Sequence, residues 1–316
     1  MCFLAFLPAG CNSDGEYSSD FFAMNTAMSV KIYGGKKSAL QLAVKEINRL
    51  DKLLDAHSEN SEIFKINSGE SVELSPETLE LVSRALYYCG LTEGALDITV
   101  YPLAQLWDIT GSSRAVPLQE NILKELKKVN YGNVKISGSK VLLSGGSMVD
   151  PGAVAKGYAA ARAAAALKSS GVKNAVLDLG GDIAILGDNN GKNWRIGLKN
   201  PFGEGVFGVL EAGECYIVTS GSYQRFFESG GKRYHHIFDP ETGWPADSEL
   251  VSVTVICCDG TAADALSTAL FVMGLQRGLE FLKGCPGVEA VFVTKDKKVT
   301  CTPGIKDKLT LADGFK

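Results

Sequence analysis

Asp264 and Thr268 stand four residues apart in a stretch with helical patterning, so they share one helix face. A carboxylate and a hydroxyl placed together can both give oxygen to a hard cation such as Mg²⁺, which completes its shell with water and substrate phosphate. The same spacing has a plainer reading. Thr261-x-x-Asp264 before an apolar run fits a capping box, with Asp264 serving only the helix end. Asp150-Pro-Gly-Ala-Val-Ala-Lys156 pairs a carboxylate with a cation across a turn, and an alanine-rich helix follows to about Lys168. Pro151 suits the first turn of that helix. Lys156 then lies near the positive end of a helix dipole, which fits a bound anion as its partner and fits equally a solvated lysine at a helix start. Asp178-Leu-Gly-Gly-Asp182 puts Gly180 and Gly181 between two apolar runs. Exposed N–H groups there can cradle phosphate, or simply turn the chain. The chain has three histidines, His57, His235 and His236. The last two are neighbours on an expected strand, so only one can face a given site. Histidine exchanges a proton near neutral pH, although strand histidines are also ordinary structural residues.

The elements that must position these groups follow from periodicity. Ala27–Tyr33 alternates as a strand, and Lys37–Leu54 carries apolar residues at helical spacing. Ser75 caps a second helix that ends near Gly90. Gly94–Pro102 reads as a compact turn leading into an extended segment. Leu118–Val129 reads as a helix and Val134–Leu143 as a hairpin. Buried strands are expected at Ala175–Leu179 and Ile183–Leu186. Trp194–Leu198, Phe207–Leu210, Tyr216–Thr219 and Leu250–Ile256 read as further strands, and Phe226–Phe238 as a hairpin. Helices over Thr261–Met273 and Gln276–Leu282 and a closing hairpin complete the chain. No regular βαβ rhythm appears. The expected fold class is α+β, with mixed, mostly antiparallel sheets packed by helices.

The motifs Asp150–Ala163, Asp178–Asp182, His236-Ile-Phe-Asp-Pro-Glu-Thr-Gly243 and Asp264-Ala-Leu-Ser-Thr268 occur in an order that resembles the ApbE-like family, the FAD:protein FMN transferases. The resemblance runs roughly from Met24 to Gly274. It implies an enzyme that takes FAD as substrate and passes FMN to a threonine or serine hydroxyl of an acceptor protein, with loss of AMP. It implies Mg²⁺ held by Asp264, Thr268 and the backbone carbonyl of Ala153. His236, rather than His235, aligns with the family's histidine and is the candidate base; Asp264 is the second catalytic candidate. Met24, Ala95, Leu96, Asp97, Asp150, Lys156 and Ile237 join Gly180 and Gly181 as FAD-binding positions. Ser61, Glu62 and Asn67 match a further family segment near the nucleotide. Tyr101, Trp107, Tyr158 and Trp244, with Met24, are the candidate walls for flat rings. Two rivals share the same motifs: a pyrophosphatase that yields FMN and AMP, and a non-catalytic FAD-binding lipoprotein.

The chain has 316 residues and a net charge of −4, which gives no general basic surface for nucleic acid. No apolar run approaches the ~20 residues that span a bilayer. No cysteine pair has the CxxC spacing of a thiolate zinc site. Met1–Cys11 is apolar and ends in small residues before Cys11. It resembles the end of a bacterial lipoprotein signal, though it lacks a basic start and carries Pro8. Asn12–Asp20 then reads as a polar tether. The expected organisation is a lipoprotein remnant and tether over 1–20, and one catalytic domain over 21–316. The protein is expected outside the cytoplasm, held at the membrane surface by lipid on Cys11.

Overall fold

The computed structural model describes residues 15–316. Strands β1 (Glu16–Ala23) and β2 (Thr26–Tyr33) form a hairpin over Met24-Asn25, both at positive φ as a two-residue hairpin turn requires. Helices α1 (Lys37–Leu54), α2 (Glu62–Asn67), α3 (Pro76–Leu91), α4 (Tyr101–Trp107) and α5 (Gln119–Leu126) follow. A small hairpin, β3 (Val134–Ser137) and β4 (Lys140–Leu143), leads to α6 (Ala155–Ser169). Then come β5 (Asn174–Asp178), β6 (Ile183–Leu186), β7 (Trp194–Lys199), β8 (Val206–Ala212) and β9 (Cys215–Gly221). The hairpin β10 (Phe226–Ser229) and β11 (Lys232–His235) precedes β12 (Leu250–Cys257). Helix α7 (Gly260–Leu282) and strands β13 (Glu289–Thr294), β14 (Val299–Cys301) and β15 (Leu309–Leu311) close the chain.

Eight strands form one sheet in the order β1-β2-β5-β6-β9-β12-β13-β14, with neighbours antiparallel throughout. Its core with the helices includes Val30, Ile32, Ala159, Ala163, Val253 and Phe271. The sheet β15-β8-β7 covers the other face through Ile196, Leu198, Phe207 and Leu210 against Val176, Ile183 and Val291. Burial on both faces explains β12. Its Ser252 and Thr254 look like the solvent side of an alternating strand, yet both are buried. The fold is α+β, as expected.

Three boundaries differ from the sequence reading. Strand β1 begins at Glu16, inside the stretch read as tether, because every residue of β1 pairs with β2. The segment after Gly94 turns into α4 instead of staying extended, with Pro102 in the helix's first turn, where its missing N–H is harmless. Helix α6 starts at Ala155, not Pro151; the Pro151 carbonyl accepts from the N–H groups of Val154 and Ala155 and forms the preceding turn. Cys11, the expected lipid site, lies outside the described residues. Among the described residues, no helix is long and apolar enough to cross a membrane, and the cysteines are free.

Candidate active site

Helices α6 and α7 touch through glycine. A Cβ on Gly157 would stand 2.1 Å from the Gly260 carbonyl oxygen and 2.7 Å from the Asp264 Cβ. That contact lets the Gly157 N–H donate to Asp264 Oδ2 at 2.8 Å. Asp264 is therefore aimed across the crossing, away from its own helix end. The cap of α7 is Asp259, whose side chain accepts from the Ala262 N–H at 3.1 Å. The capping-box reading of Thr261 and Asp264 fails, and the Thr261 hydroxyl is buried without a partner.

Lys156 is the second residue of α6. Its Nζ lies 2.5 Å from Asp182 Oδ2 and 3.8 Å from Asp264 Oδ1. The anion expected beside this lysine is thus supplied by the protein. Burial alone would lower the Lys156 pKa, but Asp182 and Asp264 outweigh it and raise it. Burial pushes Asp182 up to about 7, against the pull of Lys156. Two buried carboxylates face one ammonium, and burial already pushes Asp182 towards its neutral form. Thr268 Oγ1 lies 3.1 Å from Ser220 Oγ, which is 2.8 Å from Ser267 Oγ. Among the described residues, no group of three or more His, Cys, Asp or Glu side chains is arranged to hold a metal. The donors on hand are carboxylate, hydroxyl and carbonyl oxygens. That set suits Mg²⁺ and not zinc.

The two histidines part, but His236 lies just past the end of β11 and not on the strand as expected; it lines the cleft and His235 does not. His235 is buried; its Nε2–H donates to the Ala246 carbonyl at 3.0 Å, and its Nδ1 accepts from the Ile237 N–H at 3.3 Å. Both ring nitrogens are engaged. His236 Nδ1 meets the Arg225 carbonyl at 3.3 Å. A carbonyl only accepts, so Nδ1 carries the hydrogen and Nε2 keeps its lone pair. Nε2 has no protein partner among the described residues. Burial first, then the Arg225 charge, lowers His236 to about 3, so the ring is neutral at physiological pH.

A cleft of about 3110 Å³ gathers the predicted positions. Met24, Ala95, Leu96, Asp97, Asp150, Ala153, Lys156, Gly180, Gly181, His236, Ile237, Asp264 and Thr268 all line it. Gly180 and Gly181 form the β5–β6 turn at positive φ, and the Gly181 N–H is taken by Asp178 Oδ1 at 2.7 Å. Gly180 also has no room for a side chain, since its Cβ would stand 2.3 Å from Thr26 Oγ1. Asp97 spends its carboxylate on Thr99 and on the Tyr131 N–H. Asp150 accepts from the Gly152 N–H, and burial raises its pKa.

Other expectations are corrected. Of the aromatic walls, Tyr101 lines the cleft, but Trp107, Tyr158 and Trp244 do not. Trp107 is fully buried, donates to the Gly243 carbonyl at 2.9 Å and packs on Trp244. Tyr158 is buried with its hydroxyl on Glu80. Ser61 caps α2, and Glu62 holds Ser75. Asn67 clamps Val149 through two hydrogen bonds. None of these three lines the cleft; Asn67 acts on it by fixing the chain beside Asp150. The sequence reading missed Ser220, Tyr223 and Arg225, which also line it. Their signal was the polar run Thr219–Arg225, which begins in the last residues of β9 and runs past its end.

Comparison with known proteins gives the family. The ApbE family model matches residues 24–292. The FAD:protein FMN transferase of Treponema pallidum is 32% identical, over 94% of this chain and 90% of its own length. The enzyme of the same name from Klebsiella pneumoniae is 33% identical over 90% of each chain. The crystal structure of the ApbE protein of Thermotoga maritima superposes with a TM-score of 0.87 at 34% identity, covering 93% of this chain and 99% of that one. The flavin transferase ApbE of Vibrio cholerae gives 0.82 at 28%, covering 93% and 99%. With its glycine-locked Asp264 and its open His236 in one cleft, this chain belongs to the ApbE family.

Proposed function

We propose that the cleft binds FAD with a divalent cation such as Mg²⁺, and that FMN passes from FAD to a threonine or serine hydroxyl of an acceptor protein. The chain is an enzyme, an FAD:protein FMN transferase like its relatives. The observation that carries the reading is one cleft holding both a neutral histidine with an open Nε2 and the buried carboxylates Asp264 and Asp182 around Lys156.

The reaction balances as follows. The acceptor hydroxyl oxygen forms a bond to the FMN-side phosphorus. The bond from that phosphorus to the bridging oxygen breaks, and AMP leaves with that oxygen. The hydroxyl proton passes to His236 Nε2. A hydroxyl is a weak nucleophile at neutral pH, so a base at this point matters. Asp264, Thr268 and the Ala153 carbonyl would hold the cation, whose charge offsets that of the phosphate oxygens. Lys156 holds Asp264 and Asp182 in place. Phosphate bound near Arg225 would offset the charge that depresses His236, making its Nε2 a better base.

The test is incubation with FAD, Mg²⁺ and a candidate acceptor, read as flavin fluorescence on the acceptor in a gel. AMP release with and without acceptor separates transfer from hydrolysis; release that ignores the acceptor sinks the transferase reading. His236→Ala should cut transfer by roughly 10²–10⁴ with FAD still bound, and His235→Ala should do much less at temperatures where it is folded. Two equally inactive variants would end the case for His236. Anchoring through lipid on Cys11 belongs to the same proposal. Cys11→Ser should move the protein from the membrane fraction to the soluble one with FAD binding unchanged. Native protein found wholly in the soluble fraction would contradict it.

A further inference from the structure

Arg225 lies between β9 and β10, at the end of the polar run Thr219-Ser220-Gly221-Ser222-Tyr223-Gln224. Its backbone carbonyl accepts from the His236 N–H at 3.2 Å and from the His236 ring at 3.3 Å. Its side chain reaches the opposite way. Nη2 donates to the Asn25 carbonyl at 3.3 Å, on the β1–β2 turn that also carries Met24. Arg225 therefore ties the turn expected against the flavin to the candidate base. Arg225 lines the same cleft as His236, Lys156 and Asp150.

Among the described residues, no carboxylate lies within ion-pair distance of Arg225. Arg49, Arg84 and Arg162 on the helices each have one, whereas Arg195, which also lines the cleft, has none among the described residues. A guanidinium offers five donors in a planar fork that matches phosphate oxygens. One long bond to a neutral carbonyl uses little of that capacity. The rest opens into a cleft that already holds the candidate cation ligands and the base.

We infer that the Arg225 guanidinium contacts the FMN-side phosphate as FMN is transferred, while its backbone carbonyl holds His236 in the tautomer that leaves Nε2 open. This rests on the FMN-transfer reading. In the step, the acceptor oxygen bonds to phosphorus, AMP departs with the bridging oxygen, and the proton goes to His236. Arg225 takes no proton; it meets the charge on the equatorial oxygens. Side-chain variants keep the backbone carbonyl, so they report on the guanidinium alone.

The experiment compares wild type, Arg225→Ala and Arg225→Lys for FMN transfer at saturating FAD, and for FAD affinity by flavin fluorescence. Arg225→Ala should lose roughly 10²–10³ in kcat, the usual loss for one such donor, with FAD affinity changed less than tenfold. Added guanidinium ion should restore at least tenfold to Arg225→Ala and nothing to His236→Ala. Arg225→Lys should fall between, keeping charge without the fork. Normal kcat in Arg225→Ala, or lost FAD affinity with kcat intact, overturns the inference. Failure of guanidinium to rescue overturns it too. Should Arg225→Ala fail to fold, Arg225→Gln is judged by the same criteria. Wild-type enzyme that labels no acceptor and releases no AMP would overturn the functional reading itself, before any variant is compared.

Discussion

Replacing Asp259 or Asp264, both near the start of α7, should give opposite phenotypes. Asp259 is the helix cap and also pairs with Arg84. Losing a cap costs about 0.5–2 kcal/mol. A partly exposed ion pair adds about 0–1 kcal/mol. Asp259→Ala should therefore destabilise by roughly 0.5–3 kcal/mol, or about 1–6 °C at about 2 °C per kcal/mol for a chain of this size. Transfer activity at 25 °C should be unchanged.

Asp264→Asn removes charge but keeps an oxygen for the Gly157 N–H. It also relieves repulsion with Asp182, which is felt in the raised Asp182 pKa. Its melting temperature without added cation should stay near or above that of wild type. Wild type should gain about 2.7 kcal/mol with Mg²⁺ at a hundred times its Kd, or about 5 °C; Asp264→Asn should gain almost nothing. Transfer should fall by roughly 10² or more, since a Lewis acid supplies several kcal/mol. Differential scanning fluorimetry with and without Mg²⁺, beside the gel assay, reads all of this. An active Asp264→Asn with a full Mg²⁺ response would refute the reasoning, as would a folded but inactive Asp259→Ala.

Gly157→Ala forces a Cβ into the Gly260 carbonyl and Asp264, so it should cost about 1–3 kcal/mol by overpacking and blunt the Mg²⁺ response; a urea melt matching wild type would mean the helices part more freely than the packing implies. His235 is lowered to about 4, first by burial, against about 6.5 in an unfolded chain. The unfolded chain thus binds the proton first, and stability falls as pH drops from 6.5 towards 4, by about 3 kcal/mol in all. Urea unfolding at pH 7 and pH 5 should show a loss of about 2 kcal/mol from this residue, and His235→Gln should flatten that slope.

What the sequence made legible was whatever depends on local spacing. The four-residue step from Asp264 to Thr268 does put both side chains on the cleft side of α7. The hairpin and the break near Gly274 were readable too, since Gly274 sits at φ 77 inside α7. Long-range pairing was not. Nothing local says that Glu16–Asp20 would find β2, or that Trp107 would donate to Gly243 instead of walling a ring. Thr261-x-x-Asp264 fits a capping box on paper. Only the crossing of α6 over α7 at Gly157 and Gly260 decides that Asp259 serves the helix and Asp264 the cleft.

The histidine pair shows the same division at a finer scale. Alternation along a strand says that His235 and His236 face opposite ways, but not which is chemically open. Both are driven to the neutral form by burial, so the charge state does not separate them. Hydrogen-bond accounting does. His235 has a carbonyl on one nitrogen and an N–H on the other, and no lone pair left to take a proton. His236 has a carbonyl on Nδ1 alone, which fixes its tautomer and leaves the Nε2 lone pair for substrate. The partner that creates this difference is the backbone of Arg225, whose side chain has no carboxylate within ion-pair distance among the described residues. In the proposed reaction one residue of the loop after β9 would thus both set the tautomer of the base and meet the phosphate.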